Sequence, residues 1–278
     1  MNKLDIENIF LDLDGTTLKS DKTISLKTLK VLKELKSKNI NIFVATGRPS
    51  YMIKQELEAL EVNHNVVCVN GGMIINSQEK KILHKETIDY ISSKKIEDFL
   101  KSKKLPYLIY TDQLMFYNCS DDNEWISYLQ KRIGSLKNEY QWTLSKIDKN
   151  FLLKDHNVVK FLVPTTNLQP ELLNDLIQFF KTEITAFKLL KSQKNILDII
   201  PSHSSKGEGI RYIANLLSLN LDKTLAFGDA DNDIPMFEAV KYSVAMGNSV
   251  DELKNIATYV TDSNNEEGIA NFIKTKVL

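Results

Sequence analysis

Asp12-Leu13-Asp14-Gly15-Thr16 is the stretch that decides how this chain is read. The run Glu7-Asn8-Ile9-Phe10-Leu11 carries an apolar segment into Asp12, and Gly15 lets the backbone turn sharply at its end. Side chains at i and i+2 of a strand share a face, so Asp12 and Asp14 point one way and Leu13 points into a core. Two carboxylates held side by side suit a metal ion, or a division of labour in which one attacks and its neighbour handles protons. The same residues also suit a solvated turn, since Asp and Gly are common in turns. The rest of the chain separates these readings.

Outward from that stretch, strand and helix patterns alternate. Ile6 to Leu13 reads as a strand, Ser25 to Lys38 as an amphipathic helix on Leu26, Leu29, Leu32 and Leu35, and Ile40 to Ala45 as a strand. Ser50 to Leu60 reads as a helix and Val66 to Val69 as a strand ending at Asn70-Gly71-Gly72. From Glu208 onward the rhythm returns, with strands at Thr224 to Phe227 and Tyr242 to Ala245 between helices. The pattern predicts an α/β fold, a Rossmann-like parallel sheet with helices on both faces, whose ligands gather at the carboxyl ends of the strands. Between these segments lie Lys-rich helical patterns (Ser92 to Lys103, Asn123 to Ile133, Leu168 to Lys181) and runs such as Tyr107 to Tyr110 and Val158 to Val163. This block predicts an inserted α+β domain over residues 83–191, with the core domain made of 1–82 and 192–278.

The 278 residues carry 36 Lys plus Arg against 36 Asp plus Glu, so no global field favours nucleic acid or an anionic membrane. No apolar run approaches the roughly 18 residues of a membrane span, and the first residues lack the apolar stretch of a signal peptide. A cytoplasmic protein is expected. Cys68 and Cys119 form no Cys-x-x-Cys pair, which argues against a disulfide framework or zinc site.

Three further motifs fall at strand or helix ends. Thr46-Gly47-Arg48 follows an apolar strand; its hydroxyl and backbone N–H suit phosphate oxygens, or an ordinary helix cap. Lys206 stands at a helix start, where a cation opposes the dipole unless it turns toward an anion; a solvated lysine is the alternative. Gly228-Asp229-Ala230-Asp231-Asn232-Asp233 crowds three acids at a strand terminus, a density of like charge that calls for a cation. A calcium EF-hand loop needs Gly where Ile234 stands and Glu where Val240 stands, so a magnesium site fits better.

In this order the motifs resemble the haloacid dehalogenase superfamily of phosphohydrolases. Asn70-Gly71-Gly72-Met73-Ile74, Leu197-Asp198-Ile199, Ala245-Met246-Gly247-Asn248 and Ser263-Asn264-Asn265-Glu266-Glu267-Gly268-Ile269 are similar to its Cof-type branch, which carries a large inserted cap domain; Gly72 stands where that branch often has Ala. The resemblance implies Asp12 as nucleophile and Asp14 as general acid and base. It implies Mg2+ held by Asp12, the Asp14 backbone carbonyl and Asp229, with Asp233 at or just behind the metal. It implies phosphate held by Thr46, Gly47, Lys206, Asn232 and the backbone N–H of Leu13, with Asp231 a bystander.

A carboxylate attacking a phosphate dianion at about 4 Å meets about 8 kcal/mol of repulsion at an effective dielectric near 20, so a cation and Lys206 are both needed. Asp14, as proton carrier, is expected to have a raised pKa through Asp12 and desolvation. The cap is expected to act as a lid, and its Tyr107, Tyr110, Trp125 and His156 either pack a core or touch substrate. His64, His84 and His203 show no metal-ligand spacing. The implied activity is a phosphatase of small phosphorylated metabolites, sugar phosphates foremost. A phosphosugar mutase on the same residues, and a non-catalytic metal-binding module, are the alternatives.

Overall fold

Residues 3–62, 64–166, 168–193 and 195–278 are described by a computed structural model. In chain order the first half comprises β1 (Asn8–Leu11), α1 (Leu26–Ser37), β2 (Asn41–Val44), α2 (Lys54–Ala59), β3 (Asn65–Cys68), β4 (Met73–Asn76), β5 (Lys81–Lys85), α3 (Tyr90–Ser102), β6 (Tyr107–Thr111), β7 (Met115–Asn118) and α4 (Glu124–Ser135). There follow β8 (Leu144–Lys146), β9 (Val158–Pro164), α5 (Pro170–Thr182), β10 (Phe187–Gln193), β11 (Ile196–Pro201), α6 (Lys206–Leu217), β12 (Thr224–Gly228), α7 (Ile234–Ala239), β13 (Tyr242–Ala245), α8 (Asp251–Ile256), β14 (Tyr259–Val260) and α9 (Gly268–Lys276).

The chain divides into two compact units. One runs to Arg48, resumes as Gln55–His84 and returns as Ser205–Leu278; the other is Pro49–Lys54 with Lys85–Ser204. The return therefore lies after Ser204 rather than near residue 191. The reason is the hairpin of β10 and β11, which pairs through β11 with β9 and so belongs to the second unit's sheet.

In the first unit β14, β13, β12, β1 and β2 form a parallel sheet in that order. Neighbouring β1 and β12 come from opposite ends of the chain, which makes their junction a topological switch point. Phe10 pairs with Ala226 and Phe43, and the two phenylalanine rings stack at 4.7 Å within a cluster that includes Ile210, Ile213, Met236 and Phe237 of α6 and α7. One residue on, Phe227 turns to the opposite face and meets Phe272 of α9 edge-on at 5.6 Å. Helices thus cover both faces, as the alternating pattern predicts.

Two local expectations shift. In α1 the buried residues are Thr28, Val31, Leu32 and Leu35, while Leu26 is 84% exposed. Leu26 is the first residue after the Ser25 cap, and the stripe that meets the sheet keeps the i, i+3, i+4, i+7 spacing from Thr28. The helix expected over Ser50 to Leu60 is a 3-10 turn (Ser50–Met52) followed by α2, because Ile53 leaves helical geometry at φ −120°. β3 touches the parallel sheet through an isolated Ala45–Val67 bridge, then pairs antiparallel with β4.

The second unit is a six-stranded sheet in the order β10-β11-β9-β6-β7-β8, antiparallel except between β7 and β8. Ile109, Phe161 and Ile199 share a core with Ile96 and Leu100 of α3 and Leu176 and Phe180 of α5. Tyr107 is fully buried and donates to Glu97 Oε1 at 3.0 Å; His156 packs with Phe116 and Phe151 in a three-ring cluster. Trp125 stacks on Tyr128 at 5.2 Å, and the Lys160 ammonium sits 4.4 Å from the Tyr110 ring. Among the described residues no helix is long and apolar enough to cross a membrane.

The burial pattern of α1 yields a stability prediction. Leu35→Ala is expected to cost about 2–5 kcal/mol in urea unfolding, whereas Leu26→Ser should stay within about 0.5 kcal/mol of the wild type.

Candidate functional site

The carboxyl ends of β1, β2 and β12 deliver the motif residues to one place. Asp12 leaves β1 with its amide donating to the Phe227 carbonyl (3.1 Å), and its own carbonyl accepts from the Thr17 amide (3.2 Å) and hydroxyl (2.5 Å). Leu13 is fully buried and anchors the turn, its carbonyl accepting from the Leu18 amide at 2.7 Å. Gly15 then adopts φ +80°, and a Cβ there would fall 2.2 Å from Asp229 Oδ2. The positive φ favours glycine, and a side chain here would also have to displace Asp229. Thr16 completes the junction by donating to Asp229 Oδ1 at 2.8 Å.

Lys206, the first residue of α6, is 1% exposed. Its Nζ lies 2.6 Å from Asp12 Oδ1 and 2.6 Å from Asp233 Oδ1. The solvated alternative is therefore excluded. Desolvation pulls its pKa down, but the charges of Asp12 and Asp233 outweigh this and hold the ammonium firmly protonated. Asp233 is fully buried, and its other oxygen accepts from the Asp229 amide (2.8 Å) and the Ala230 amide (3.1 Å), which shapes the acidic loop.

Asp12, Asp229 and Asp233 bring one ligand oxygen each within 4.8 Å of one another. Burial, with the Asp233 charge adding to it, lifts Asp12 to about 7 despite Lys206. Burial and the charges of Asp12 and Asp233 lift Asp229 to about 8. Three carboxylates thus face one ammonium. This all-oxygen, under-neutralised donor set fits a hard divalent cation.

Asp14 behaves differently from its expectation. Arg48 grips it in a fork, Nε to Oδ2 and Nη2 to Oδ1, both 2.6 Å, and Lys22 Nζ reaches Oδ1 at 2.8 Å. Burial pushes its pKa up, but Arg48 and then Lys22 overcome that and hold it well below the ordinary carboxylate range. The raised value expected from Asp12 is thus reversed by two cations that the carboxylate-pair argument left out. Arg48 is itself oriented by Glu56, whose Oε1 accepts from Nη1 at 2.8 Å.

Thr46 is buried at the end of β2, with its amide on the Val67 carbonyl (2.9 Å) and its hydroxyl accepting from the Arg48 amide (3.2 Å). A Cβ on Gly47 would come within 3.1 Å of Asn70 Oδ1. Asn232 donates to that same Asn70 oxygen at 3.0 Å, which gathers Gly47, Asn70 and Asn232. Asp231 is half-exposed and outside the acidic trio. Arg48, Lys22, Thr16, Asn70 and Glu56 are the site neighbours that motif reading gave no role. Arg48, Thr16 and Asn70 lie inside quoted motifs, and a buried carboxylate's need for a counter-charge is the signal that could have found Arg48.

The sequence matches the haloacid dehalogenase-like hydrolase family over residues 9–273. It is 30% identical over 280 residues to a Streptococcus pyogenes serotype M6 protein provisionally named a phosphatase, covering 99% of this chain and 100% of that one. It is 28% identical over 285 residues to the Bacillus subtilis 5-amino-6-(5-phospho-D-ribitylamino)uracil phosphatase YwtE, covering 95% and 96%. In fold it resembles a haloacid dehalogenase-like hydrolase from Bacteroides thetaiotaomicron (TM-score 0.81, 24% identity, 97% and 99% covered). It resembles equally the subclass IIB sugar phosphatase BT4131 (TM-score 0.81, 22% identity, 97% and 98% covered). The chain belongs to the haloacid dehalogenase-like hydrolase family, in its Cof-type branch. It is an enzyme of the phosphoric monoester hydrolase class.

The contact between Gly15 and Asp229 is directly testable. Gly15→Ala is expected to lose at least about 1 kcal/mol of stability through the positive φ alone, and to weaken divalent-cation binding by displacing Asp229. Thermal unfolding with and without Mn2+ measures both.

Proposed function

We propose that the chain is a Mg2+-dependent phosphatase of small phosphorylated metabolites, sugar phosphates foremost, working through an aspartyl phosphate on Asp12. The observation that carries this reading is the Lys206 ammonium held between Asp12 and Asp233 beside Asp229. The substrate class is supported by the relatives. One is named for a phosphorylated ribityl compound and one fold neighbour for sugar phosphates, both phosphate monoesters on polyhydroxylated carbon chains. Phosphatase names among the relatives favour hydrolysis over the mutase alternative.

In this reading Asp12, Asp229 and the Asp14 backbone carbonyl would hold Mg2+, with Asp233 at or just behind the metal. When bound, the ion neutralises charge on the phosphate and on Asp12. Thr46, Gly47, the Leu13 amide, Lys206 and Asn232 receive the phosphate oxygens. An Asp12 oxygen attacks phosphorus as the bond to the leaving alcohol breaks, and that alkoxide takes a proton from Asp14. Water then attacks the aspartyl phosphate and gives a proton to Asp14, which frees phosphate and restores Asp12.

The Arg48 and Lys22 clamp keeps Asp14 ionised in the resting site but weakens its hold on a proton. To donate one first, it must share those cations with another anion, and the incoming phosphate dianion is such an anion. The clamp thereby links protonation of Asp14 to occupancy of the site.

Asp12→Asn should lower steady-state phosphate release from sugar phosphates by about a thousandfold or more at saturating Mg2+, and near-normal turnover would overturn the assignment. Chelation of divalent ions should abolish release and Mg2+ should restore it. With a bisphosphorylated sugar present, isomerisation of a monophosphate without phosphate release would instead support the mutase.

A further inference from the structure

The hairpin that follows the catalytic turn is held by side-chain amides from the far end of the sequence. Asn248 Nδ2 donates to the Gly15 carbonyl (2.8 Å), and Asn264 Nδ2 donates to the Leu18 carbonyl (2.8 Å). Asn265 takes the Ser20 amide on Oδ1 (3.0 Å) and donates to the Ser20 hydroxyl (2.9 Å). Asn248 and Asn264 are joined in turn, the Asn264 amide donating to Asn248 Oδ1 at 3.0 Å.

Beyond Leu18 the hairpin has little apolar surface to bury, since Ser20, Asp21 and Thr23 are exposed. Its own closure is two main-chain bonds, Lys19 N to Thr23 O and Lys22 N to Lys19 O, both 2.9 Å. Its position therefore depends on the amide contacts, most of which go to main-chain atoms and are indifferent to the hairpin's side chains. The residue carried at its tip is Lys22, whose Nζ lies 2.8 Å from Asp14.

We propose that Asn248, Asn264 and Asn265 form an amide clamp that fixes the 15–23 hairpin and so sets Lys22 against Asp14, making them positioning residues for the reaction. The inference rests on the proton-carrying role proposed for Asp14. It gives the Asn-rich C-terminal motif a task in the chemistry, although it lies some 240 residues from the turn it holds. Lys22 becomes the point through which that motif acts.

The test compares Asn264→Ala, Asn265→Ala, Lys22→Met and the double variant Asn264→Ala with Lys22→Met, using p-nitrophenyl phosphate with Mg2+ and amide hydrogen exchange. In either asparagine variant, amides of residues 19–23 should exchange roughly five- to tenfold faster, the worth of one lost hydrogen bond, while those of Phe10 and Leu225 keep wild-type rates. In Asn264→Ala, kcat should fall about tenfold with KM within about twofold of wild type, and in the double variant kcat should lie no more than about twofold below Lys22→Met alone. Unchanged hairpin exchange in both asparagine variants would overturn the clamp, and so would kcat losses that multiply in the double variant. Should Asn264→Ala fail to fold, Asn265→Ala with and without Lys22→Met supplies the same comparison. If the wild type releases no phosphate, the phosphatase reading falls, and hairpin exchange alone still decides whether the clamp exists.

Discussion

The buried Lys206 ammonium between Asp12 and Asp233 is the interaction on which the rest of the site depends. At 2.6 Å each pair has a Coulombic attraction of about 6 kcal/mol at an effective dielectric near 20. Taking three charged groups out of water costs several kcal/mol per ion, so the arrangement stands only because the remaining lone pairs are also engaged. Asp233 meets that condition through the Asp229 and Ala230 amides. The lysine therefore ties the end of β1, the start of α6 and the loop after β12 into one unit, and the geometry of the acidic trio follows from it.

Delivering that lysine requires α6 to approach its neighbours closely. A Cβ on Gly207 would fall 2.1 Å from the Pro235 carbonyl, so the first turn of α6 reaches α7 only because residue 207 is glycine. The Ser205 cap, accepting from the Glu208 amide, fixes where the helix begins and hence where Lys206 points. An ammonium at a helix start is unfavourable toward the dipole. Here two carboxylates reverse that preference.

Much of this was legible in the sequence, for identifiable reasons. β1, β2, β12 and β13 fell where apolar runs end in Gly, Asp or Asn, because in a parallel sheet the same residues terminate the strand and line the site. Lys206 was brought to the site only by the resemblance, as a phosphate ligand; its pairing with Asp12 and Asp233 is long-range and carried no local mark. The return from the second unit could not be placed, because β10 and β11 carry no local mark of which sheet they join; partner choice in an antiparallel hairpin is a long-range property. In α1 the stripe held at Leu32 and Leu35, while Thr28 and Val31 took the buried places expected of Leu26 and Leu29. Periodicity gives the angle of an apolar face, but Leu26 sits at the helix end, before the sheet is reached.

Asp14 shows where reasoning from residue pairs fails. Two neighbouring carboxylates and partial burial both argue for a raised pKa, and of these burial does operate here, as the largest single influence on Asp14. It is outweighed because a forked Arg48 contact and Lys22 deliver two positive charges within 2.8 Å, one from the end of β2 and one from the hairpin. The two acids of the opening motif are thus unequal in the opposite sense to the simplest chemical expectation. Asp12, the carboxylate read as nucleophile, is the harder to ionise without a dication, and Asp14, the one read as proton donor, is the more firmly ionised. Each needs a different visitor to reach its working state: a cation for Asp12, and for Asp14 an anion that draws off Arg48 and Lys22. Under the proposed roles, a phosphate ester arriving with a divalent ion would bring both together, and the resting charges of the site would oppose reaction until the two are present.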